Sequence, residues 1–295
     1  MEILDGKLVS QTIRNQLKEK VSELKKQGKK LPHLAAILVG SNGASETYVA
    51  SKVKSCEEIG FGSTLIRLSD SVSEIELLEN IEALNLDPDV DGILVQLPLP
   101  KHISEQKVIE TVSVTKDVDG FHPESVGRMV QGLPAFVSAT PHGIMLLLEH
   151  YKIDTRGKHA VVIGRSNIVG RPVSILLSRN TNPGNCTVTV CHSHTSNLKE
   201  ICLQADIIVA ALGRAEFLKA DMVKPGAAVI DIGINLEERP DGTSAVVGDV
   251  DTDSVKEIAS WVTPVPGGVG PVTVAMLMRN AVAAHDKQLA AGWLD

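Results

Sequence analysis

A tyrosine and a lysine stand four residues apart in the first third of the chain, at Tyr48 and Lys52. Residues at this spacing share one face of a helix. The ring of Tyr48 offers a flat surface on which a substrate can stack, and burial would lower the pKa of the Lys52 amine toward the range that suits proton transfer. The alternative is an exposed helix whose lysine extends its charge into solvent. The pair alone leaves both interpretations open.

A strand, a glycine turn and a helix follow one another in the second half of the chain. The apolar run His159–Ile163 leads into Gly164-Arg165-Ser166-Asn167-Ile168-Val169-Gly170, and Val173–Leu177 is predicted to be helical. Such a turn brings backbone N–H groups and a helix N-terminus against a pyrophosphate, although the spacing departs from G-x-G-x-x-G. The segment therefore predicts a dinucleotide site.

The residues after the next predicted strand, Thr187–Cys191, indicate which dinucleotide binds. A NAD-selective fold usually has an acid there for the ribose hydroxyls, whereas this chain has His192-Ser193-His194. The hydroxyl of Ser193, the histidines beside it and Arg165 in the turn can receive a 2′-phosphate, so we expect NADP rather than NAD. The alternative is that Arg165 and His192 are solvated loop residues, and His194 has no evident role.

Two further segments place polar groups beside turn residues. The apolar strand Gly92–Leu97 carries one amide, Gln96, close to its end, where open α/β sheets bind ligands; the alternative is a buried glutamine paired with backbone. Asp117 and Asp119 flank a valine before Gly120. This order occurs in calcium loops, but the other ligands of an EF-hand are missing, so no metal is predicted. We expect one aspartate to cap the following helix and the other to bind an amino-pyrimidine-like edge.

A loop rich in proline and glycine, Thr263–Thr273, precedes the last predicted helix. Its three prolines make the backbone rigid, and its three glycines let a flat ligand approach backbone atoms. We therefore expect this loop to border a ligand.

Apolar runs alternate with amphipathic segments along the chain, which is typical of helices packed on both faces of mostly parallel sheets. The predicted strands lie near Leu34–Val39, Ser63–Leu68, Gly92–Leu97, Ala160–Ile163, Thr187–Cys191, Ile207–Ala210 and Ala228–Ile232. The predicted helices lie near Val9–Gln27, Ser45–Ile59, Val72–Leu84, Ile144–Tyr151, Val173–Leu177 and Val272–Leu289.

This pattern predicts an α/β fold of two domains with a ligand-binding cleft between them. We expect an N-terminal α/β substrate domain over residues 1–140, joined by the C-terminal helix 276–295. A Rossmann-like NADP-binding domain is expected over residues 141–275. The boundary follows the proline-led start of a helix at Thr140-Pro141.

Composition narrows the function further. The 295 residues suffice for two compact domains, and a net charge of -7 argues against a nucleic-acid surface. The four cysteines form no C-x-x-C pair, which indicates buried thiols in a reducing compartment. The N-terminal residues lack a signal-peptide pattern, and no apolar run reaches the length of a membrane span. We therefore expect a soluble cytoplasmic protein that binds small molecules.

Five segments, in this order, resemble the methylenetetrahydrofolate dehydrogenase/methenyltetrahydrofolate cyclohydrolase family of one-carbon folate metabolism. They are Tyr48-Val49-Ala50-Ser51-Lys52, Val95-Gln96-Leu97-Pro98-Leu99-Pro100, Asp117-Val118-Asp119-Gly120, Gly164-Arg165-Ser166-Asn167-Ile168-Val169-Gly170 and Pro266-Gly267-Gly268-Val269-Gly270-Pro271. The resemblance covers essentially the whole chain. It implies NADP-dependent oxidation of 5,10-methylenetetrahydrofolate to the 5,10-methenyl form, then hydrolysis to 10-formyltetrahydrofolate, in a homodimer.

The resemblance also implies residue roles. Tyr48 would stack on the p-aminobenzoyl ring and Lys52 would be the main cyclohydrolase residue. Gln96 would hold and tune the lysine, and Asp119 would bind the pterin edge. The catalytic residues implied are thus Lys52, Gln96 and Asp119. The NADP contacts implied are Gly164, Arg165, Ser166, Ser193 and Ile234, and the backbone bordering the folate is that of Pro266, Gly267 and Gly268.

Departures from the family pattern are small. Gly43 stands where proline is frequent, Ala139 where cysteine is common and Val272 where methionine is usual. None of them removes a proposed functional group, and Val272 is expected to alter only the packing beside the folate.

Three competing interpretations remain at this level. Short-chain dehydrogenases also carry Tyr-x-x-x-Lys, but after the glycine turn and in the same domain, whereas Lys52 stands more than a hundred residues before Gly164. A non-catalytic NADP-binding regulator would not need the intact polar set of the first domain. A family member with only one of the two activities fits the same motifs.

Overall fold

The computed structural model describes residues 1–238 and 244–286. The chain divides into two compact units. The nucleotide unit consists of residues 1–10 and 140–273, and the folate unit consists of residues 11–139 and 274–286; the two names follow the expectations above. Within the described ranges, no helix is long and apolar enough to cross a membrane.

Strands and helices alternate along both units. The strands are β1 (Glu2–Ile3), β2 (His33–Val39), β3 (Gly62–Leu68), β4 (Gly92–Val95), β5 (His159–Ile163), β6 (Thr187–Cys191), β7 (Ile207–Ala210), β8 (Ala228–Asp231), β9 (Asn235–Glu238), β10 (Ser244–Val247) and β11 (Trp261–Val262). The helices are α1 (Gly6–Lys26), α2 (Gly43–Ile59), α3 (Glu74–Leu86), α4 (Glu105–Thr111), α5 (Pro123–Gln131), α6 (Ala139–His150), α7 (Gly170–Ser178), α8 (Leu198–Cys202), α9 (Thr252–Val255) and α10 (Val269–His285).

The strands and helices expected from the sequence are all present, with ends that differ by up to five residues where both are described. The end proposed for the last helix, Leu289, lies outside the described residues. The elements that the sequence patterns did not predict are mostly short, so they carry too few residues for a periodic signal.

A six-stranded sheet forms the centre of the nucleotide unit. Its strands lie in the order β1-β11-β8-β7-β5-β6, and every neighbouring pair is parallel. The central strands are nearly continuous apolar runs because helices cover both faces of such a sheet. The side chains of Val161, Ile208 and Val229 belong to its buried core. The carboxyl ends of all six strands therefore lie along one edge.

The first residues of the chain belong to this sheet and not to the first domain, where the sequence analysis placed them. β1 pairs in parallel with β11, and the N–H of Leu4 donates to the carbonyl of Val262 over 2.9 Å. Leu4 is also fully buried. A two-residue strand has no alternation to reveal this pairing from sequence.

A three-stranded parallel sheet, in the order β3-β2-β4, forms the centre of the folate unit. α2 connects β2 to β3, and α3 connects β3 to β4. All positions of β2 after His33 are buried, which shows that both faces of the sheet are covered. Ile37 in β2 and Ile93 in β4 pack into a core with Leu77 and Ile81 of α3.

Helix α2 is fixed at both ends. The side chain of Asn42 accepts a hydrogen bond from the N–H of Ser45 (3.1 Å), which satisfies one of the free donors of the first turn. At the other end, the N–H of Gly60 donates to the carbonyl of Cys56 (2.8 Å). These caps set the position of the face that carries Tyr48 and Lys52.

A buried asparagine in α10 holds the segment that carries Asp117 and Asp119. The Nδ2 of Asn280 donates to the carbonyl oxygens of Val118 (2.8 Å) and Val137 (3.1 Å), and Asn280 has no exposed surface. Buried carbonyl groups without a donor are costly. One amide therefore stabilises two chain segments that have no regular secondary structure.

We expect Asn280→Ala to lower the free energy of unfolding by roughly 1–3 kcal/mol, since both carbonyls lose this donor in a buried site. The measurement is urea denaturation. Asn80→Ala is the matched control, because Asn80 donates its amide to the Glu76 carbonyl (2.8 Å) on an exposed helix face. Equal losses in the two variants would show that the buried amide has no special role.

Candidate active site

The folate unit brings Lys52 and Gln96 into direct contact. Lys52 Nζ donates to Gln96 Oε1 over 2.9 Å, and only 9% of Lys52 is exposed. Gln96 follows β4, and its backbone N–H continues the strand ladder by donating to the carbonyl of Ile37 (2.9 Å). Its own Nε2 donates to the carbonyl of Leu97 (2.6 Å). The amide is thus oriented with its oxygen toward the lysine.

Burial determines the electrostatics of Lys52. Desolvation lowers the pKa of the Lys52 amine, and the nearby charge of Asp119 raises it only in part. A buried ammonium loses hydration that one glutamine oxygen does not fully replace. The exposed-helix alternative is therefore wrong for Lys52. Tyr48, one turn earlier on α2, is partly buried, and burial raises the pKa of its phenol.

Asp119 responds in the opposite direction. Burial raises the pKa of its carboxyl to about 7, while Lys52 lowers it and Asp117 raises it further. A small cavity of about 20 Å³ beside both aspartates has a largely apolar lining that includes Ile93 and Val95. Apolar surroundings solvate a carboxylate poorly, which explains the direction of the shift. Burial thus favours the neutral form of both Asp119 and Lys52.

The two aspartates of the Asp117-Val118-Asp119-Gly120 segment have different tasks. Asp117 accepts hydrogen bonds from the N–H of Phe121 (3.1 Å), the N–H of His122 (3.0 Å) and the hydroxyl of Ser125 (2.7 Å). Asp117 therefore stabilises the backbone before α5. The expectation that one of the two aspartates caps this helix is wrong, because the N-cap residue of α5 is His122. Asp119 has no such backbone partners among the described residues and is the aspartate whose charge acts on Lys52.

The glycine turn of the nucleotide unit lies where the order of the strands in the sheet reverses. β6 lies on one side of β5 and β7 on the other, so the carboxyl end of β5 is a topological switch point, where open α/β sheets bind ligands. Gly164 follows β5 with φ +132°, and a Cβ there would collide with the carbonyl oxygen of Ala211, which follows β7. Only glycine allows this close approach.

Ser166 caps the helix that leaves the turn. Its Oγ accepts hydrogen bonds from the N–H groups of Val169 and Gly170, both 3.2 Å away. Because these two N–H groups already donate to Ser166, they are not free to bind a phosphate. A phosphate at this end of α7 would instead interact with the positive end of the helix dipole and with the backbone N–H groups of Arg165 and Ser166. The side chains of both residues are exposed.

The other residues predicted to contact the cofactor follow neighbouring strands. Ser193 is exposed two residues after β6 and stands between His192 and His194, whose rings lie 6.0 Å apart. Ile234 follows β8 and is 49% exposed. Because all these strands are parallel, Ser193, Ile234 and the Gly164 turn lie along the same edge of the sheet.

Pro266, Gly267 and Gly268 belong to the nucleotide unit. They form a tight turn before α10, in which the N–H of Gly268 donates to the carbonyl of Pro264 (2.7 Å). Lys52, Gln96, Tyr48 and Asp119 belong to the folate unit. Within the described ranges, no group of three or more His, Cys, Asp or Glu side chains is placed to hold a metal ion.

Sequence analysis missed three buried polar residues close to these segments: Asn280, Asp231 and Asp249, each 1% exposed or less. Asp231 accepts hydrogen bonds from three backbone N–H groups and Asp249 from three others. A signal was present only for Asp231, which stands in the apolar run Ala227–Ile234, where an unpaired polar group would be costly. Asp249 and Asn280 have charged residues close by in sequence, so nothing there indicated their burial.

The parallel sheet with its glycine turn and the contact between Lys52 and Gln96 define a class of protein: a nicotinamide-nucleotide-dependent enzyme with a separate unit for acid–base chemistry. Comparison with known proteins is more specific. Residues 4–119 match the model of the tetrahydrofolate dehydrogenase/cyclohydrolase catalytic domain, and residues 138–289 match that of the NAD(P)-binding domain of the same name. The chain belongs to the tetrahydrofolate dehydrogenase/cyclohydrolase family.

Relatives match over almost their whole length. The bifunctional protein FolD of Porphyromonas gingivalis is 59% identical over 287 residues, which is 96% of each chain. The crystal structure of the Campylobacter jejuni bifunctional enzyme FolD is similar with a TM-score of 0.91 and 48% identity, covering 98% of this chain and 99% of that one. The Trypanosoma brucei FolD, solved with NADP cofactor and inhibitor, has a TM-score of 0.91 and 34% identity over 97% of each chain.

We expect Asp119→Asn to stabilise the protein above neutral pH. In the unfolded chain an aspartate has a pKa of about 3.9, whereas burial raises the pKa of Asp119 in the fold to about 7. The fold therefore binds more protons than the unfolded chain between these values, and the wild type loses stability as pH rises through this window. The variant cannot ionise and escapes that loss.

Thermal melting at several pH values measures this effect. The variant should melt at least about 2 °C above wild type near pH 7.5, and the difference should vanish near pH 4. Asp89→Asn, at an exposed position, is the control and should show no such pH dependence. An Asp119→Asn variant that melts lower than wild type at neutral pH would contradict the raised pKa.

Proposed function

We propose that this chain uses NADP to oxidise 5,10-methylenetetrahydrofolate to 5,10-methenyltetrahydrofolate and then hydrolyses the product to 10-formyltetrahydrofolate. The observation that carries the proposal is the desolvated Lys52 amine, bound to Gln96 and acted on by the charge of Asp119, in the unit that matches the family's catalytic domain. The other unit matches the NAD(P)-binding domain and has its glycine turn at the switch point of the sheet.

The edge of the six-stranded sheet fits NADP. The glycine turn after β5 leads into the N-terminus of α7, whose positive dipole end suits a pyrophosphate. No acid follows β6, and the exposed Ser193 and Arg165 leave room and hydrogen-bond donors for a 2′-phosphate. We propose that Gly164, Arg165, Ser166, Ser193 and Ile234 hold the cofactor, which supplies the hydride acceptor when bound.

The oxidation requires no protein base. The folate loses a hydride from its methylene carbon, and the methenyl cation that remains is stabilised by the two flanking nitrogens. No proton is transferred in this step, so the protein contributes mainly by positioning the reacting atoms. The acids behind the nucleotide edge fit this requirement, because Asp231 and Asp249 are buried and already bonded to backbone N–H groups.

The hydrolysis does require proton movement. The oxygen of water bonds to the methenyl carbon and loses one proton, which leaves a neutral hydroxyl adduct. The bond from that carbon to N5 then breaks as the hydroxyl loses its second proton to form the formyl C=O and N5 takes up a proton, so that one proton is released overall. Lys52 acts either as the base toward water or as a charge near the developing oxygen. The lowered pKa of Lys52 supports the first role, because it raises the fraction of neutral amine near pH 7.

The remaining residues are proposed to hold the folate. The Tyr48 ring lies one helical turn from Lys52, where it can stack on the p-aminobenzoyl ring. Asp119 is proposed to accept hydrogen bonds from the amino edge of the pterin. Pro266, Gly267 and Gly268 are proposed as backbone that borders the folate.

We also propose that the protein acts as a homodimer in the cytoplasm. The support for the compartment is the state of the cysteines, since Cys56, Cys186, Cys191 and Cys202 are all free and buried. A reducing compartment maintains thiols in this state. The homodimer rests on the family resemblance.

We expect Lys52→Met to abolish most cyclohydrolase activity while hydride transfer remains measurable, because only the hydrolysis needs the amine. Loss of a proton-transfer residue typically costs about 10²–10⁴-fold. Two assays separate the steps: NADPH formation from 5,10-methylenetetrahydrofolate, and decay of added 5,10-methenyltetrahydrofolate above its spontaneous rate. Lys54→Met is the control, since Lys54 is exposed on the same helix. Equal loss of both activities, with folate binding intact, would refute this role.

We expect the enzyme to prefer NADP to NAD strongly, and Ser193→Asp to reverse much of that preference. A carboxylate at this position repels a 2′-phosphate and can bind the ribose hydroxyls of NAD. The measurement is kcat/KM with each cofactor, and the variant should lower the value for NADP by about tenfold or more. Ser196→Asp is the control, because it adds the same charge at an exposed site three residues away. Comparable kcat/KM values for the two cofactors in the wild type would reject the assignment.

A further inference from the structure

The carboxylate of Asp249 is surrounded by donors from two separate loops. Its Oδ2 accepts hydrogen bonds from the N–H groups of Leu212 (2.6 Å) and Gly213 (2.9 Å). Its Oδ1 accepts from the N–H of Arg214 (2.9 Å) and from the Nδ2 of Asn235 (3.0 Å). Asp249 itself has no exposed surface. Each oxygen therefore binds two donors, which an uncharged amide of the same shape cannot do.

A second buried carboxylate fixes Asp249 in place. Asp231, at the end of β8, accepts hydrogen bonds from the N–H groups of Asp249 (2.9 Å), Gly233 (2.8 Å) and Val250 (3.0 Å). The space between the two carboxylates is fully used, because a Cβ at Gly233 or Gly248 would collide with one of them. Asp249 is thus a rigid centre and not a mobile side chain.

The loops that Asp249 holds are those beside the proposed cofactor. Leu212–Arg214 follows Ala211, whose carbonyl oxygen occupies the space that a Cβ on Gly164 would take. Ile234, a proposed cofactor contact, lies between Gly233 and Asn235, and these two residues are bonded to Asp231 and Asp249 respectively. A shift of the Asp249 carboxylate would therefore move backbone on both sides of the carboxyl edge of the sheet.

We propose that Asp249 is a positioning residue for the nicotinamide nucleotide. Its carboxylate holds the loop after β7 and the loop after β8 in the geometry that places the cofactor for hydride transfer. The inference rests on the proposed function in one respect, since it takes from it that NADP lies along this edge. Asp249 does not touch the reacting atoms, and it acts through the peptide groups that it binds.

Stability alone gives a poor account of this arrangement. Removing two carboxylates from water is costly, and well-packed apolar residues often stabilise a protein as much or more. Three consecutive N–H groups directed at one carboxylate resemble the concavities that bind free anions. Here the protein's own side chain takes that place, which orders the loop before any ligand arrives.

The test compares Asp249→Asn and Asn235→Ala with the control Asp251→Asn. The control removes a carboxylate that caps α9 by accepting from the N–H of Ser254 (3.0 Å), which belongs to neither loop. Three quantities are measured for each variant: the Kd of NADP, the KM for NADP in the oxidation, and the rate of 5,10-methenyltetrahydrofolate hydrolysis without cofactor. The last reports an intact folate unit.

We expect Asp249→Asn to raise the KM and Kd of NADP by about tenfold or more and to lower hydride transfer further, while hydrolysis stays within about twofold of wild type. Asn235→Ala removes one of four donors and should shift the same quantities in the same direction by less. The control should leave all three unchanged. If Asp249→Asn does not fold, the KM and Kd of NADP in Asn235→Ala test the proposal in its place, and wild-type values there would overturn it.

Three results overturn the inference. A folded Asp249→Asn enzyme with wild-type Kd and KM for NADP would show that the carboxylate does not position the cofactor, provided that Ser193→Asp weakens NADP. If neither Ser193→Asp nor Asp249→Asn changes NADP binding, the cofactor lies elsewhere and the proposed function fails with it. Parallel loss of NADP binding and of hydrolysis would mark Asp249 as a residue needed only for folding.

Discussion

The amine of Lys52 is removed from water and given one strong hydrogen-bond acceptor, the Oε1 of Gln96, at 2.9 Å. An ammonium has three donors, so this environment solvates the charged form incompletely and lowers its pKa. Asp119 offsets part of that effect, and the attraction weakens as its own carboxyl takes up a proton near pH 7. The chemistry proposed for the folate unit depends on this balance.

Much of the folate unit keeps that balance fixed. The caps of α2 determine where Lys52 lies, and the end of β4 determines where Gln96 lies. Asn280 and the three hydrogen bonds to Asp117 hold the segment that carries Asp119. The nucleotide unit uses carboxylates differently, since Asp231 and Asp249 are bonded to backbone donors and shape loops. In the proposed function, one unit thus supports proton transfer, while the other provides the geometry that hydride transfer needs.

The sequence predicted the long elements because they carry enough residues for a clear period. It did not predict β1, whose two residues pair with β11 at the opposite end of the chain. It also could not assign tasks to Asp117 and Asp119, which differ only in their partners after folding. The contact between Lys52 and Gln96 followed from a family resemblance. Burial of Asp249 became visible only once distant loops were placed around it.

The most direct test of this account is the pKa of Lys52 itself, measured by NMR titration of protein labelled in its lysine side chains. The Lys52 signal is assigned by its absence in a Lys52→Met sample, and the exposed lysines in the same spectrum serve as internal references. The account predicts that Lys52 titrates below these lysines and that Asp119→Asn lowers its pKa further. A Lys52 that titrates together with the exposed lysines would contradict the desolvated amine on which the proposed hydrolysis depends.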